Sequence, residues 1–110
     1  MNKFPKTSIK KVLIYGYGVM GEAVARTFTK SGFDVHVFSS RADELSNSEK
    51  NLIFHKTLPS EAPDLVIEFV PEDIVAKQKV YQQIESSYGG KPLIASGTSG
   101  LDLIALANVL

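Results

Sequence analysis

The sequence predicts a doubly wound α/β domain built on a parallel sheet of about five strands in the order 3-2-1-4-5. Two observations carry this. Short apolar runs alternate with amphipathic stretches along the chain, and parallel neighbours need such helical crossovers. The first run is apolar at every position, as in a strand buried on both faces, and it breaks into a glycine-rich turn that opens a helix.

Taken in order, residues 1–10 read as a basic leader in which Pro5 disfavours regular structure, and the domain is expected over 11–110. Val12, Leu13, Ile14 and Tyr15 form the first strand and stop at Gly16. Residues 19–31 place Met20, Val24 and Phe28 four apart with Ala23 beside them, giving a helix one apolar face. Ser31-Gly32 ends it, because glycine takes the left-handed conformation readily. Val35 to Phe38 is the second strand. Residues 39–51 are the most polar stretch and read as a surface connection with a short helix. Leu52 to His55 is a third strand, and Asp64 to Val70 a fourth, closed by Pro71. Residues 72–88 form a second helix with Ile74, Tyr81, Ile84 and Tyr88 on one stripe, broken by Gly89-Gly90. Leu93, Ile94 and Ala95 make a fifth strand, and Leu101 opens a further helix. No stretch remains for a sixth strand, so the sheet is expected to be truncated before it.

Composition narrows the function classes. The 110 residues suffice for one domain with one core. Twelve Lys+Arg balance twelve Asp+Glu, which removes the electrostatic case for a nucleic-acid or membrane-surface partner. With no cysteine there is neither a disulfide scaffold nor a thiolate metal site, and a cytoplasmic setting is expected. Apolar runs fall far short of the ~20 residues that span a bilayer.

The sharpest signal is Gly16-Tyr17-Gly18-Val19-Met20-Gly21. Gly16 permits the tight turn out of the strand. Gly18 lets backbone approach a pyrophosphate with no Cβ in the way, and Gly21 lets the helix pack closely on the strand. Free N–H groups and the helix dipole favour an anion at that helix start. The spacing and context are those of a dinucleotide site; flavin and S-adenosylmethionine sites share the spacing, and a plain tight turn also uses glycine. Where the second strand ends, an NAD site usually offers a carboxylate to the ribose 2′-OH. Here the residues are Ser39, Ser40 and Arg41. Ser39 has no charge to repel a 2′-phosphate, and Arg41 has a planar fork that suits one. NAD and NADP both stay open, with NADP favoured; the simpler reading leaves Arg41 pointing to water.

Other candidates are weaker. His36 and His55 lack the spaced carboxylate or second histidine of a metal site and read as strand-surface or loop residues, so no metal is expected. Glu68 places a carboxylate inside a buried strand, where it needs a partner that the sequence does not name.

The stretch DLVIEFVPEDIVAKQKVYQQIESSYGGKPLIASGTSGL, with IYGYGVMGEAVARTFTKSGFDV before it, resembles the NAD-binding domain of 3-hydroxyacyl-CoA dehydrogenases, over about residues 11–38 and 64–107. The first stretch alone would also suit the 6-phosphogluconate and 3-hydroxyisobutyrate dehydrogenase types of this Rossmann superfamily. The resemblance implies that Gly16 to Gly21 hold the pyrophosphate and that Glu72 and Lys77 lie near the nicotinamide-side ribose. It places Ser99, as a catalytic residue, where nicotinamide meets the substrate's 3-oxygen. Each has a simpler reading: Glu72 and Asp73 suit a helix first turn, Lys77 follows Asp73 by four, and Ser99 with Asp102 has capping-box spacing.

Departures from the family qualify the implication. Ser39 stands where the family carries its cofactor acid, and residues 39–63 replace a long helical excursion. Gly97-Thr98-Ser99-Gly100 replaces Asn-Thr-Ser-Ser, and no histidine follows His55 to act with a glutamate. Hydride transfer needs a proton acceptor as well as a positioned nicotinamide. The leading expectation is therefore the nicotinamide-dinucleotide-binding part of an oxidoreductase acting at C3 of an acyl-CoA or other 3-hydroxy acid, inactive by itself. The alternatives are a stand-alone nucleotide-binding or regulatory module, self-associating through its apolar C-terminal segment, and an NADP-dependent β-hydroxyacid reductase domain.

Overall fold

A run such as Val12-Leu13-Ile14 has to be covered on both faces, and the sheet is arranged around it. In the computed structural model, which describes residues 9–45, 50–69 and 74–96, this run is strand β1 (Lys11–Tyr15), at the centre. It pairs in parallel with β2 (Asp34–Phe38) on one side and β4 (Leu65–Glu68) on the other. Beyond these lie β3 (Leu52–His55) and β5 (Leu93–Ser96), giving the order β3-β2-β1-β4-β5 that the sequence predicts. Tyr15 sits level with Phe38 and Glu68, and Glu68 with Ser96, so the carboxyl ends of four strands share one edge.

Helix α1 (Val19–Lys30) covers one face, packing Val24, Ala25 and Phe28 on Val12, Ile14, Val35, Val37 and Ile67. Fully burying a side chain such as Phe28 is worth about 1.5–3 kcal/mol. Helix α2 (Ile74–Tyr88) covers the other face with Val80, Ile84 and Tyr88 on Leu13 and Val66. Both crossovers thus end up on opposite sides of the sheet. α1 stops in a Schellman motif: Phe33 N–H reaches Phe28 O, Gly32 N–H reaches Thr29 O, and Gly32 has φ +95°. The rings of Phe28 and Phe33 meet at 5.1 Å across it.

The structure corrects several details. Met20 is not on the buried face of α1 (41% exposed), because Gly21 must lie against the strand and turns its neighbour outward. On α2, Ile84 and Tyr88 are buried as predicted, but Ile74 is exposed and Tyr81 partly so, and Lys77 and Val80 complete the inward face. Ile9 belongs to the core, and the N–H groups of Lys10 and Lys11 both bond Asp64. Among the described residues of 39–51, the short helix expected there is a 3-10 turn, Ala42–Glu44. The helix expected from Leu101 lies outside the described residues. Among the described residues, no helix is long and apolar enough to cross a membrane.

Candidate functional site

The carboxyl edge of the sheet opens over the ends of β1 and β2, which lie level at Tyr15 and Phe38. Gly16 has φ +101° there, a conformation that favours glycine, and a Cβ would stand 3.2 Å from Phe69 O. Its N–H bonds Phe38 O at 3.0 Å, tying the loop to the end of β2. Gly18 is the N-cap of α1 without a side-chain cap bond, and the first intrahelical bond is Glu22 N–H to Gly18 O. The N–H groups of Val19, Met20 and Gly21 therefore precede the helical ladder, and the helix presents its positive end.

The three glycines do separate things. A Cβ on Gly21 would stand 2.6 Å from Gly16 O, so the helix and loop touch through backbone. A Cβ on Gly18 would meet no atom within 4 Å. Gly18 thus needs no small side chain for the protein's own packing; it faces an open cradle, as an approaching diphosphate requires.

Beside the cradle is an open cavity of about 480 Å³ lined by Tyr15, Gly16, Tyr17, Gly18, Phe38, Ser39, Ser40 and Arg41. No described residue lining it is acidic. Ser39 is buried, and its Oγ accepts the Arg41 N–H at 3.1 Å, holding the turn after β2. The Arg41 guanidinium does not simply point to water: Nη2 donates to Tyr17 O at 2.9 Å, bridging the two loops. Tyr17 itself packs edge-on against Phe54 of β3. The glycine loop is thus held at Gly16 and Tyr17 by two hydrogen bonds and by the aromatic contact of Tyr17.

A second polar group lies further along the edge. Glu68, at 0% exposure, pairs with Lys77 Nζ at 2.9 Å, and Tyr81 Oη is 3.4 Å from the same carboxylate oxygen. Lys77 Nζ is also 3.4 Å from Ser96 Oγ, at the end of β5. The partner that Glu68 needs is therefore Lys77. On the opposite flank, His36 Nδ1 and His55 Nε2 are 2.7 Å apart with their rings stacked. Burial, and secondarily the charge of His36, holds the His55 imidazole below its ordinary value. Among the described residues no three His, Cys, Asp or Glu side chains converge as a metal site.

Residues 50–110 match the family described as 3-hydroxyacyl-CoA dehydrogenase, NAD binding domain. The chain belongs to this family. Among curated relatives, it is 28% identical to a 5-formyl-3-hydroxy-2-methylpyridine 4-carboxylate 5-dehydrogenase of Mesorhizobium japonicum, matching 89% of this chain and 40% of that protein. It is 24% identical to the mitochondrial hydroxyacyl-coenzyme A dehydrogenase of Sus scrofa, matching 94% of this chain and 43% of that protein. The chain thus spans about two-fifths of these relatives. A solved structure of a 5-formyl-3-hydroxy-2-methylpyridine 4-carboxylic acid 5-dehydrogenase, titled an NAD+-dependent dismutase, superimposes with a TM-score of 0.69 at 27% identity. It covers 83% of this chain and 37% of that one.

In this NAD-binding domain the structure brings Gly16, Tyr17, Gly18, Val19, Met20, Gly21, Ser39, Ser40 and Arg41 to one end of the sheet. Lys77 lies on the same edge but on the β4–β5 side. Glu72 and Ser99 lie outside the described residues. Sequence reasoning missed Tyr15 and Phe38 as cavity walls. The signal was available: each is the last residue of a parallel strand, and such residues border the crevice in open α/β sheets.

Proposed function

We propose that the domain is the nicotinamide-dinucleotide-binding part of an oxidoreductase acting at C3 of a 3-hydroxyacyl or related 3-hydroxy acid, and that it prefers NADP over NAD. The observation that carries the binding reading is the open cradle at Gly18, where unladdered N–H groups and the start of α1 face space that a side chain would fill. A bound nicotinamide dinucleotide would supply the hydride chemistry. The chain's own residues do the holding: the glycine loop takes the diphosphate, and the cavity walled by Tyr15, Phe38 and Arg41 takes the adenosine half. Both described histidines lie on the β2–β3 flank, away from β4 and β5.

The NADP preference is supported by an acid-free cavity wall and by Arg41, whose fork keeps donors beyond the one used on Tyr17 O. Titration with NADPH and NADH, in wild type and Arg41→Ala, tests it. Because Arg41 also braces the glycine loop, both ligands should weaken somewhat. NADPH should lose roughly 1.5–3 kcal/mol more than NADH if the guanidinium reads the 2′-phosphate. Equal losses would leave Arg41 as a loop brace and favour NAD.

A second reading, a module that associates with itself or a partner subunit, is supported by β5. Leu93 and Ile94 point to opposite faces of this edge strand and are 45% and 46% exposed.

A further inference from the structure

Glu68 stands in a strand whose other residues are Leu65, Val66 and Ile67, all buried, and packing gives no reason for a carboxylate among them. Removing an ion pair from water costs about as much as the pair returns, so well-packed apolar residues would serve stability as well or better. What the pair does accomplish is geometric. Lysine is a long, flexible side chain, and here it is drawn inward from the first turn of α2 until its ammonium lies at the carboxyl edge of the sheet. It is 2.9 Å from Glu68 and 3.4 Å from Ser96, and its side chain is only 18% exposed. Tyr81, one turn later on α2, lies 3.4 Å from the same carboxylate oxygen.

The location matters. Glu68 is level with Tyr15, the residue before the glycine loop, and with Ser96 at the end of β5. The cavity for an adenosine half opens on the β2 side of that loop. A dinucleotide whose diphosphate rests on the loop must extend its second nucleoside to the other side, over β4 and β5, where the Lys77 ammonium is held.

We propose that Glu68 is a positioning residue: it fixes the Lys77 ammonium, already expected beside the ribose of the dinucleotide's second nucleoside, so that it can donate to that ribose's hydroxyls. This rests on the dinucleotide reading above. The carboxylate never touches the ligand; it orders the lysine that does.

The test compares a ligand with the second nucleoside to one without it. Binding of NADH and of ADP is measured by calorimetry on the chain in wild type and Glu68→Gln. The substitution keeps the shape and removes the charge. NADH affinity should fall about 5- to 20-fold, the loss of one charge-assisted hydrogen bond, while ADP stays within about twofold. A merely structural Glu68 would move both ligands together. Should Glu68→Gln fold poorly, the double replacement Glu68→Leu with Lys77→Met removes the pair without leaving a buried charge, and it should show the same selective loss of NADH. A folded variant that keeps the wild-type preference for NADH over ADP, or loses both equally, overturns the role of Glu68. Wild-type protein that binds neither ligand overturns the dinucleotide reading itself, a separate and recognisable failure.

Discussion

The two halves of the sheet are stabilised by different means. On the β1–β2–β3 side, order comes from backbone conformation and apolar packing: Gly16 at φ +101°, the Schellman stop of α1, and Tyr17 against Phe54. On the β4–β5 side, order at the edge comes from a buried carboxylate and an ammonium, and the apolar residues of β5 remain half exposed. The first half is a finished surface with a built cradle. The second adds a buried charged pair at its edge to the apolar packing of β4 and α2, and leaves Leu93 and Ile94 of its outer strand half exposed. The comparison shows which positions should govern folding and which should govern ligand binding, and substitutions can break that division.

Gly21→Ala should have the largest effect. The new Cβ would lie 2.6 Å from the Gly16 carbonyl oxygen, a backbone atom with no flexible side chain to yield. Helix α1 would have to lift from β1, at a cost of about 2–3 kcal/mol or more by the usual scale of overpacking. Urea denaturation with a matched midpoint and slope would read this directly. A variant as stable as wild type would mean that α1 does not rest on the loop as described.

Gly18→Ala sharpens the same contrast from the other side. Its φ of −89° suits any residue, and its Cβ would enter open space. Stability should therefore stay within about 0.5 kcal/mol of wild type. ADP affinity should fall about tenfold or more, because a methyl group stands where the diphosphate approaches the backbone. Loss of stability without loss of ADP binding would reverse the roles given to the two glycines, although they stand only three residues apart.

The difference between the halves also explains what the sequence could reveal. The glycine spacing, the buried run before it and the glycine after α1 are local patterns, and each predicted the element or loop found. The pairing of Glu68 with Lys77 joins residues of a strand and a helix nine positions apart, and no periodicity connects them. Its only trace was an acid without an apparent partner. Arg41 was legible as a residue of the cofactor loop but not as a brace, because its bond to Tyr17 O spans 24 residues and needs the fold to exist first. The apolar faces of both helices were legible in part: Val24, Phe28, Ile84 and Tyr88 are buried as the spacing predicts, whereas Met20, Ile74 and Tyr81 are not. The inward stripe was set by requirements outside the helix, a close backbone contact at Gly21 and a salt bridge at Lys77.

The smallest effect is expected at the outer strands of the finished half, where the histidines meet. One ring donates and the other accepts across the 2.7 Å contact, so a second proton cannot be added without breaking it. Asp34 Oδ1 lies 3.2 Å from His36 Nε2, too poorly aligned to satisfy that nitrogen with a hydrogen bond. Lys56, next to His55, is paired with Asp43 in turn. His55 is held below its ordinary value of 6.5, first by burial and then by His36. A histidine depressed in the folded state favours folding in full above its unfolded pKa, and this contribution is lost as the pH falls through the lower, folded value. Stability should therefore drop as the pH is lowered from neutrality through 6.5 and below. Solvent screening at a partly exposed ring keeps the change under about 1 kcal/mol. Urea melts at pH 7.5 and 5.5 would show the slope in wild type and a shallower one in His55→Gln, which keeps a hydrogen-bonding side chain but cannot titrate. An unchanged slope in that variant would assign the pH dependence to other groups, and the β2–β3 flank would then be as indifferent to acid as its apolar packing alone implies.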